Sequence, residues 1–264
     1  MMESIVQYFP CNHPWQDRIH YFDCVESTNT LAKEMAKKGA PHGTVLIADS
    51  QTGGRGRMGR SFHSPAGSGI YLSMLLRPEC PAKDLMHLTC ATAVAAADGI
   101  QAATGLRPGI KWTNDLVVGQ RKLGGILTEL SLDSQGNVDY AIIGIGINCN
   151  QQAEDFPDDI RQIATSLAAA TQKTIDRAAV IAHILVALQK MSENLLDATA
   201  TLTRYRADCI TIGKEISLVR GDETRHGKAL DVDNDGALVV EFSDGQIQAV
   251  QSGEVSVRGM YGYV

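Results

Sequence analysis

The sequence of 264 residues lacks the patterns that mark exported, membrane-spanning and zinc-binding proteins. No apolar run reaches the roughly 18 residues that a membrane span needs, and the first residues show no basic flank followed by an apolar stretch. The 6 cysteines form no C-x-x-C pair, and the 7 histidines show no H-x-x-x-H or H-E-x-x-H spacing. We therefore expect a cytoplasmic protein with reduced thiols, no membrane partner and no structural metal site.

An excess of positive charge is also absent. Lys and Arg number 24 against 30 Asp and Glu, so the formal net charge is -6. This balance argues against a protein whose main activity is to coat phosphate backbones, and any basic surface must be local. With 44% hydrophobic and 20% charged residues, the chain can bury a sizeable core. Its length favours one large domain, or a large domain with a small one.

Apolar periodicity predicts an α/β (α+β) fold in which a mixed sheet is flanked by helices, followed by a small β-barrel. The predicted helices cover residues 28–38, 81–104 and 177–196, with a short helix to about residue 207. The predicted strands cover residues 44–50, 70–76, 110–118 with a break at 114–115, 123–130 and 140–148. Those of the barrel cover residues 216–220, 227–232, 237–242, 246–250 and 255–258. We expect domains at residues 1–209 and 210–264.

Residues 51–60, with the sequence Q-T-G-G-R-G-R-M-G-R, combine four glycines with three arginines, and we call them the arginine loop. Glycine lets backbone N–H groups approach an anion, and arginine keeps its charge at neutral pH. Gly54, Gly56 and Gly59 satisfy the G-x-G-x-x-G pattern of dinucleotide-binding folds, but a strand follows where that fold needs a helix. The same context argues against a P-loop. The arginine loop is a candidate anion clamp, and the alternative is a solvated basic turn.

Three further segments contain residues suited to binding or catalysis. Residues 111–116 (K-W-T-N-D-L) place a cation, an amide and a carboxylate at the strand break, and residues 121–127 (R-K-L-G-G-I-L) add a cation at the entrance to a strand. Residues 143–148 (I-G-I-G-I-N) form an apolar strand whose glycines share one face, which predicts a flat floor for a planar group. Taken singly, the first two could be hairpin turns with surface charges and the third a tight packing contact.

With Glu26-Ser27-Thr28-Asn29 at the head of the first predicted helix, these segments in this order resemble the biotin protein ligases. The likeness runs from about residue 21 to the C-terminus and includes residues 156–157 (F-P), 164–167 (A-T-S-L) and 252–255 (S-G-E-V). The resemblance implies a catalytic domain like that of class II aminoacyl-tRNA synthetases and a C-terminal SH3-like barrel. Family members that also act as repressors carry an N-terminal winged helix-turn-helix of about 60 residues. Because 25 residues precede Glu26, we expect the ligase-only form, which binds no nucleic acid.

The sequence departs from the family pattern at two places. Thr113 stands where the family usually has proline, and Phe62-His63 replaces a pair that usually contains tryptophan. We expect the first departure to loosen a turn and the second to alter one wall of the biotin pocket.

The resemblance implies an enzyme that joins biotin to the α-phosphate of ATP, with Mg²⁺ on the phosphates, and then passes the biotinyl group to a lysine of a biotin carboxyl carrier protein. By motif position, Lys122 would lie between the biotin carboxylate and the α-phosphate. Asp115 would orient or deprotonate the carrier lysine, or else pair with an arginine of the loop. Around them, Gly54, Arg55, Gly56 and Arg57 would close over the acyl-adenylate, and Lys111 and Asn114 would hold the triphosphate and its metal.

The resemblance also divides the remaining contacts between two ends of a pocket. Biotin's ureido ring offers N–H donors and a carbonyl acceptor, which Ser27, Thr28 and Gln51 could meet, with Asn29 beside them. Tyr71, Gly124 and Gly125 would line the apolar portion, and Gly144, Gly146 and Asn148 the adenine side. A mixed anhydride hydrolyses in water, so we expect the arginine loop to be mobile when the site is empty. A homodimer through a sheet edge is also implied.

Three other interpretations remain open from the sequence. A lipoate-type ligase shares the fold class and the adenylate chemistry, although Ser27, Thr28 and the barrel favour biotin. A nucleic-acid-binding protein could use the arginine loop as a basic finger, and its binding would then be strongly salt-dependent. A biotin-sensing scaffold without catalytic activity would bind biotin but exchange no pyrophosphate.

Overall fold

The computed structural model describes residues 2–251 and 256–259, which form two sheets and the helices around the first. The large sheet is mixed, with seven strands in the order β1-β2-β3-β7-β6-β5-β4, and the small sheet is antiparallel, with five strands in the order β11-β10-β9-β8-β12. The helices are α1 (Met2–Val6), α2 (Thr28–Lys37), α3 (Leu88–Thr104), α4 (Leu167–Thr171), α5 (Arg177–Glu193) and α6 (Ala198–Asp208). The strands are β1 (Ile19–Val25), β2 (Thr44–Gln51), β3 (Gly69–Leu76), β4 (Gly109–Lys111), β5 (Asp115–Val118), β6 (Arg121–Leu132), β7 (Val138–Asn148), β8 (Glu215–Arg220), β9 (Glu223–Val232), β10 (Leu238–Phe242), β11 (Ile247–Val250) and β12 (Ser256–Gly259).

The centre of the large sheet is covered on both faces. Successive residues of a strand point to opposite sides, so strands buried on both sides are apolar at nearly every position. All of β3 is buried, and in β2 and β3 the side chains of Leu46 and Leu75 pack under α2. The residues next to them, Ile47 and Met74, join the larger core that contains α3 and α5. The site-bearing strands β6 and β7 therefore rest on a rigid support.

The helices α3 and α5 lie unusually close because small residues separate them. A Cβ added to Gly99 would lie 2.5 Å from Cα of Ile184. The alanine-rich sequence of α3 allows the same close approach along the rest of its buried face.

The small sheet contacts the strand break that carries residues 111–116. Trp112 Nε1 donates to the carbonyl oxygen of Gly236 at 3.0 Å, and the amide of Ile210 donates to the carbonyl of Ile110 at 2.9 Å. The first contact joins the loop before β5 to the turn between β9 and β10. This connection fixes the loop from which Asn114 and Asp115 reach the site.

The predicted mixed α/β architecture is confirmed, with differences at particular elements. The helix predicted from residue 81 begins at Leu88, because Ala82–Leu85 form a separate 3-10 turn. Backbone contacts of Pro81 and Ala82 with the β6-β7 hairpin hold this turn in place. The strand predicted at residues 110–118 is divided into β4 and β5, as its polar break indicated. Helices α1 and α4 and strand β1 were not predicted from the sequence. Of the segments that carried the resemblance, residues 252–255 lie outside the described residues.

Among the described residues, no helix combines the length and the apolar character that crossing a bilayer requires.

Candidate active site

A cavity of about 690 Å³ lies between the arginine loop and the glycine-bearing parts of β6 and β7. This volume is in the range of pockets that enclose a drug-sized ligand. Residues 26–29, the arginine loop and residues 111–116, 121–127 and 143–148 all contribute to its wall. The predicted site residues that line it are Ser27, Thr28, Asn29, Gln51, Arg55, Gly56, Arg57, Lys111, Asn114, Asp115, Lys122, Gly125, Gly144, Gly146 and Asn148.

Three predicted contact residues, Gly54, Tyr71 and Gly124, are not among the residues that line the cavity. A Cβ at Gly54 would lie 2.4 Å from the carbonyl oxygen of Phe62, and one at Gly124 would lie 2.4 Å from that of Gly146. Both glycines therefore permit close backbone approach. Tyr71 is buried behind the wall, where its hydroxyl donates to the carbonyl of Pro65 at 2.9 Å and burial raises its pKa. All three shape the wall from behind.

One end of the cavity is lined by neutral hydrogen-bonding groups. Ser27 is the N-cap of α2, and its hydroxyl accepts from the amide of Thr30 at 3.5 Å. The amide and the hydroxyl of Thr28 lie 2.9 and 3.1 Å from Oε1 of Gln51. Gln51 Nε2 donates to Oγ of Ser64 at 3.0 Å, which fixes the orientation of the Gln51 amide. The helix start and the end of β2 thus present ordered donors and acceptors to a ligand.

Positive groups line the other end. Nζ of Lys122 lies 2.7 Å from Oδ1 of Asp115, and this pair is partly buried. Nη1 of Arg57 donates to Oδ1 of Asn114 at 2.9 Å. Burial lowers the pKa of Arg57 below its ordinary value, although the charge of Asp115 acts in the opposite direction. A guanidinium group keeps its charge at neutral pH. Lys111 is buried beside them, with 7% of its surface exposed.

The arginine loop is folded back on itself over the cavity. The amide of Phe62 donates to the carbonyl of Gly54 at 2.9 Å, and the amide of Gly56 donates to that of Arg60 at 2.7 Å. The turn between them is possible because Met58 and Gly59 adopt left-handed backbone conformations, with φ of 56° and 74°. Arg57 and Met58 both line the cavity, and the side chain of Met58 is also exposed to solvent.

The predicted flat glycine floor is occupied by side chains of the protein itself. A Cβ at Gly144 would lie 2.1 Å from Oδ1 of Asn29, and one at Gly146 would lie 2.6 Å from the Phe62 ring. The two glycines therefore make room for an amide and a phenyl ring. Phe62, one of the departures from the family pattern, also packs edge-to-face against Tyr71.

The other departure, Thr113, is buried behind the loop that carries Asn114. The peptide bond between Trp112 and Thr113 is cis, and the hydroxyl of Tyr205 donates to the carbonyl of Thr113 at 3.0 Å.

Several residues of the site were not found by the sequence analysis. Behind the neutral end, the buried Ser73 contacts Asn29, whose amide nitrogen donates to the carboxylate of Glu129 at 2.9 Å. A single serine or glutamate in an apolar strand gives no periodic signal. The wall also includes residues from the segment before α4 and one from the small sheet, namely Phe156, Ile160, Ile163, Ala164 and Val257. The quoted motifs at residues 156–157 and 164–167 signalled two of these.

In the described ranges, no group of three or more His, Cys, Asp or Glu side chains is placed to hold a metal ion. The oxygen of Asn114, predicted to lie near a metal, accepts a hydrogen bond from Arg57.

We expect Gly144→Ala to destabilise the protein by about 1 to 3 kcal/mol, because the added methyl group overlaps the hydrogen-bonded amide of Asn29. The matched control is Gly125→Ala, since a Cβ there meets its nearest atoms at 3.4 Å and beyond. Urea denaturation measures both. Equal stability of the two variants would contradict the tight contact between Gly144 and Asn29.

The charge of Glu129 predicts a loss of stability in acid. Burial opposes ionisation of its carboxyl, but hydrogen bonds from Lys33 and Asn29 and the charges of Lys33 and Arg55 outweigh it, so the pKa lies below the ordinary value of 4.5. A depressed pKa stabilises the fold above the unfolded-state pKa, and this contribution disappears as the pH falls through the folded-state pKa. Urea denaturation in steps from neutral to acidic pH should therefore show a smaller acid loss in Glu129→Gln than in the unmodified chain. Parallel curves would rule out the contribution of Glu129.

Two family models match the chain. The Biotin/lipoate A/B protein ligase family matches residues 21–148, and the Biotin protein ligase C terminal domain matches residues 211–258. The first match covers the arginine loop, most of β1 and all of β2 to β7, and the second covers nearly all of the small sheet.

Individual relatives and solved structures agree with these models. The chain is 41% identical to a bifunctional ligase/repressor BirA of Bacillus spizizenii over 90% of this chain and 73% of that protein. It is 31% identical to a biotin--[acetyl-CoA-carboxylase] ligase of Mycobacterium tuberculosis, over 87% of this chain and 85% of the other. A structure of biotin protein ligase from Aquifex aeolicus in complex with biotin and ATP superposes with a TM-score of 0.78 at 29% identity, covering 92% of this chain and 99% of that one. The chain therefore belongs to the biotin/lipoate A/B protein ligase family, in which its C-terminal domain places it with the biotin protein ligases.

Proposed function

We propose that the chain joins biotin to ATP as biotinyl-5′-AMP, releases pyrophosphate, and transfers the biotinyl group to a lysine of a biotin carboxyl carrier protein. The observation that carries this proposal is a single cavity with neutral hydrogen-bonding groups at one end and partly buried cations at the other. A neutral polar ring fits the first end, and phosphates fit the second.

The cations meet the main difficulty of the first half-reaction, in which the carboxylate of biotin must approach the α-phosphate of ATP. Two like unit charges 4 Å apart repel by about 4 kcal/mol at an effective dielectric constant of 20. Arg57, Lys111 and Lys122 already lie around the cavity, so they can offset this repulsion without reorganising at the moment of reaction. The carboxylate oxygen then bonds to the α-phosphorus, and pyrophosphate leaves.

We assign Lys122 to the point where the two reactants meet, between the carboxylate and the α-phosphate. The ammonium group is partly exposed to the cavity, and Asp115 holds it from one side. The charge of Asp115 also acts on Arg57, which belongs to the arginine loop. In the second half-reaction the amine of the carrier lysine attacks the biotinyl carbonyl, its proton is lost and AMP leaves. Asp115 is our candidate to orient that amine or accept its proton.

We place the ureido ring of biotin at the neutral end, against Ser27, Thr28 and Gln51. Their hydroxyl and amide groups match the two N–H donors and the carbonyl of the ring. The sequence analysis assigned Gly144, Gly146 and Asn148 to the adenine side of the pocket. We keep this assignment for Gly146 and for Asn148, which is buried at the end of β7. Because Gly144 lies against Asn29, we now place it nearer to the ureido ring.

Arg55, Gly56 and Arg57 would cover the adenylate, and Lys111 and Asn114 would hold the phosphates. We propose that Mg²⁺ is held mainly by the phosphates of ATP, where it would neutralise part of their charge.

We propose residues 1–209 as the catalytic domain and residues 210–264 as a separate C-terminal domain. Relatives named biotin--[acetyl-CoA-carboxylase] ligase indicate the protein partner, the carrier protein of a carboxylase.

We also propose a homodimer through the edge of β6. Strand β5 pairs with β6 only as far as Gly125, and β6 continues to Leu132 with Leu130 and Leu132 exposed. A strand edge with apolar side chains is a surface on which a second copy can pair. Sedimentation velocity with and without biotin and ATP tests this: a dimer supports the proposal, and a monomer under every condition rejects it.

The biotin-dependent exchange of labelled pyrophosphate into ATP tests substrate and first half-reaction together, with lipoate as the control acid. We expect exchange with biotin and none with lipoate. Exchange with lipoate alone would establish the lipoate-type ligase, and biotin binding without exchange would establish a sensing scaffold. A nucleic-acid-binding role is less well supported, because Arg57 faces the cavity and contacts Asn114.

A further inference from the structure

The chain returns from the arginine loop to β3 through residues 64–68 (S-P-A-G-S), which we call the return segment. Proline and glycine are typical of turns, and Gly67 adopts the left-handed backbone region with φ of 76°. The residues of the return segment are not among those that line the cavity, whereas Phe62 and His63, which directly precede it, both line it. The return segment is therefore the support of this part of the cavity wall.

Two residues of β2 hold the return segment at two points. The amide of Gln51 donates to the carbonyl of Ser64 at 3.1 Å, and Nε2 of Gln51 donates to Oγ of Ser64 at 3.0 Å. Two residues earlier in the strand, Oδ2 of Asp49 accepts from the amide of Gly67 at 3.0 Å. Side chains at positions i and i+2 of a strand point to the same face, so Asp49 and Gln51 together fix the return segment against the end of β2.

Ser64 connects the return segment to the wall. Its hydroxyl accepts from Gln51 and donates to the carbonyl of Phe62 at 2.9 Å. Phe62 in turn lies against Gly146, where an added Cβ would be 2.6 Å from its ring. The position of Ser64 therefore affects two residues of the wall, Gln51 and Phe62.

The carboxylate of Asp49 is itself held by Arg177, the first residue of α5. Nη2 of Arg177 donates to Oδ1 of Asp49 at 2.9 Å, so one carboxylate oxygen accepts from Arg177 and the other from Gly67. The side chain of Arg177 is only 8% exposed, and its Nε has no hydrogen-bond partner among the described residues. A buried guanidinium without a counter-ion is costly, so the ion pair fixes the orientation of both side chains.

We infer that Asp49 and Arg177 are positioning residues for biotin. Arg177 orients the carboxylate of Asp49, and Asp49 holds the return segment in the place where Ser64 supports Gln51 and Phe62. The inference rests on the proposed function, because it explains how side chains outside the cavity maintain its biotin end. Lys111 and Lys122 belong to other segments, so ATP binding should depend less on this ion pair.

The test is steady-state pyrophosphate exchange by the full chain, with KM measured separately for biotin and for ATP. Arg177→Met removes the charge and keeps much of the side-chain length, whereas Arg177→Lys keeps a cation that can pair with Asp49. Asp49→Asn keeps the shape of the side chain but has one acceptor oxygen in place of two, so either Arg177 or Gly67 loses its acceptor.

The matched control is Arg107→Met, which breaks the ion pairs of Arg107 with Asp98 and Asp208. These three residues join α3 and α6 and are not among the residues that line the cavity. Urea denaturation measures the loss of stability in each variant. The control therefore shows what the loss of an ion pair elsewhere in the fold does to KM.

We expect Arg177→Met to raise KM for biotin by about 10-fold or more, because the support of Gln51 and Phe62 is loosened. KM for ATP and kcat should change by less than about 3-fold, and Arg177→Lys should restore KM for biotin to within about 3-fold of the unmodified value. Asp49→Asn should also raise KM for biotin. The double variant Arg177→Met/Asp49→Asn should raise it no further than the larger single effect, because both changes act on one contact. Arg107→Met should lower stability and leave KM for biotin unchanged.

Unchanged KM for biotin in Arg177→Met and Asp49→Asn would overturn the inference. Equal increases of KM for biotin and ATP, or an equal increase in Arg107→Met, would also overturn it, because a general loss of stability would then explain the effect. If Arg177→Met does not fold, Asp49→Asn decides the question by the same criteria. An unmodified chain that exchanges no pyrophosphate with biotin would reject the proposed function itself, and the inference with it.

Discussion

Lys122→Met should reduce biotin-dependent pyrophosphate exchange by about 1,000-fold or more. The ammonium group is placed where the carboxylate and the α-phosphate would meet, and the repulsion it offsets is about 4 kcal/mol, which corresponds to roughly three powers of ten in rate. Methionine keeps much of the side-chain volume and removes only the charge. Initial rates at saturating biotin and ATP measure the effect.

The matched control is Arg121→Ala, which removes a positive charge from the neighbouring position, exposed and outside the cavity wall. Its exchange rate should stay within about 3-fold of the unmodified rate. Because Lys122 pairs with Asp115, the loss could instead come from an uncompensated carboxylate in the cavity. The double variant Lys122→Met/Asp115→Asn separates the two causes. Recovery of exchange in it would show that Lys122 only neutralises Asp115.

Arg57→Gly should produce an enzyme that still forms biotinyl-5′-AMP but labels proteins indiscriminately. Arg57 faces the cavity from the arginine loop and donates a hydrogen bond to Asn114 at 2.9 Å. Its removal therefore takes away both the positive charge and the hydrogen bond that connects the loop to the opposite wall. The adenylate would then escape and acylate exposed lysines in solution. We expect bystander albumin to be biotinylated at least about 10-fold faster than by the unmodified chain, since one lost charged hydrogen bond weakens retention by about that factor.

Substitution by glycine also loosens the backbone, and the adjacent Met58→Gly serves as the control. Met58 is exposed and already has a positive φ of 56°, which glycine adopts without strain. This variant therefore adds flexibility at the same turn but leaves the guanidinium in place. Streptavidin blots of albumin incubated with each enzyme, biotin and ATP report the labelling. Equal labelling by Arg57→Gly and the unmodified chain would contradict the role of Arg57 in retention.

The sequence predicted those parts of the site in which several unusual residues are adjacent in the chain, and not those formed by contacts between distant segments. The arginine loop and residues 111–116 concentrate glycines, cations and amides that an ordinary turn does not need, and the structure brings both to one cavity. Their polar residues also interrupt the apolar pattern of the strands, which is why a break between β4 and β5 was predicted, at residues 114–115, close to its position at residues 112–114.

Contacts between distant segments could not be predicted. In the sequence, nothing distinguishes Ser73 from the other residues of a buried strand. Its contact with Asn29 depends on how α2 packs on the sheet. The glycines of β7 were interpreted as a floor for a ligand, but the side chains of Asn29 in α2 and of Phe62, just after the arginine loop, fill that space. Strand β1 was missed because only its first residue is buried, so its side chains show no regular alternation.

We propose that cations already in place bring two mutually repelling reactants together and hold the activated product. The decisive experiment is a crystal structure of the chain with biotinyl-5′-AMP. We predict Nζ of Lys122 within hydrogen-bonding distance of the ligand's phosphate oxygens, with Arg57 folded over the same group. A ligand phosphate that is surrounded by water, with Lys122 still bound only to Asp115 and the arginine loop turned away, would contradict the claim.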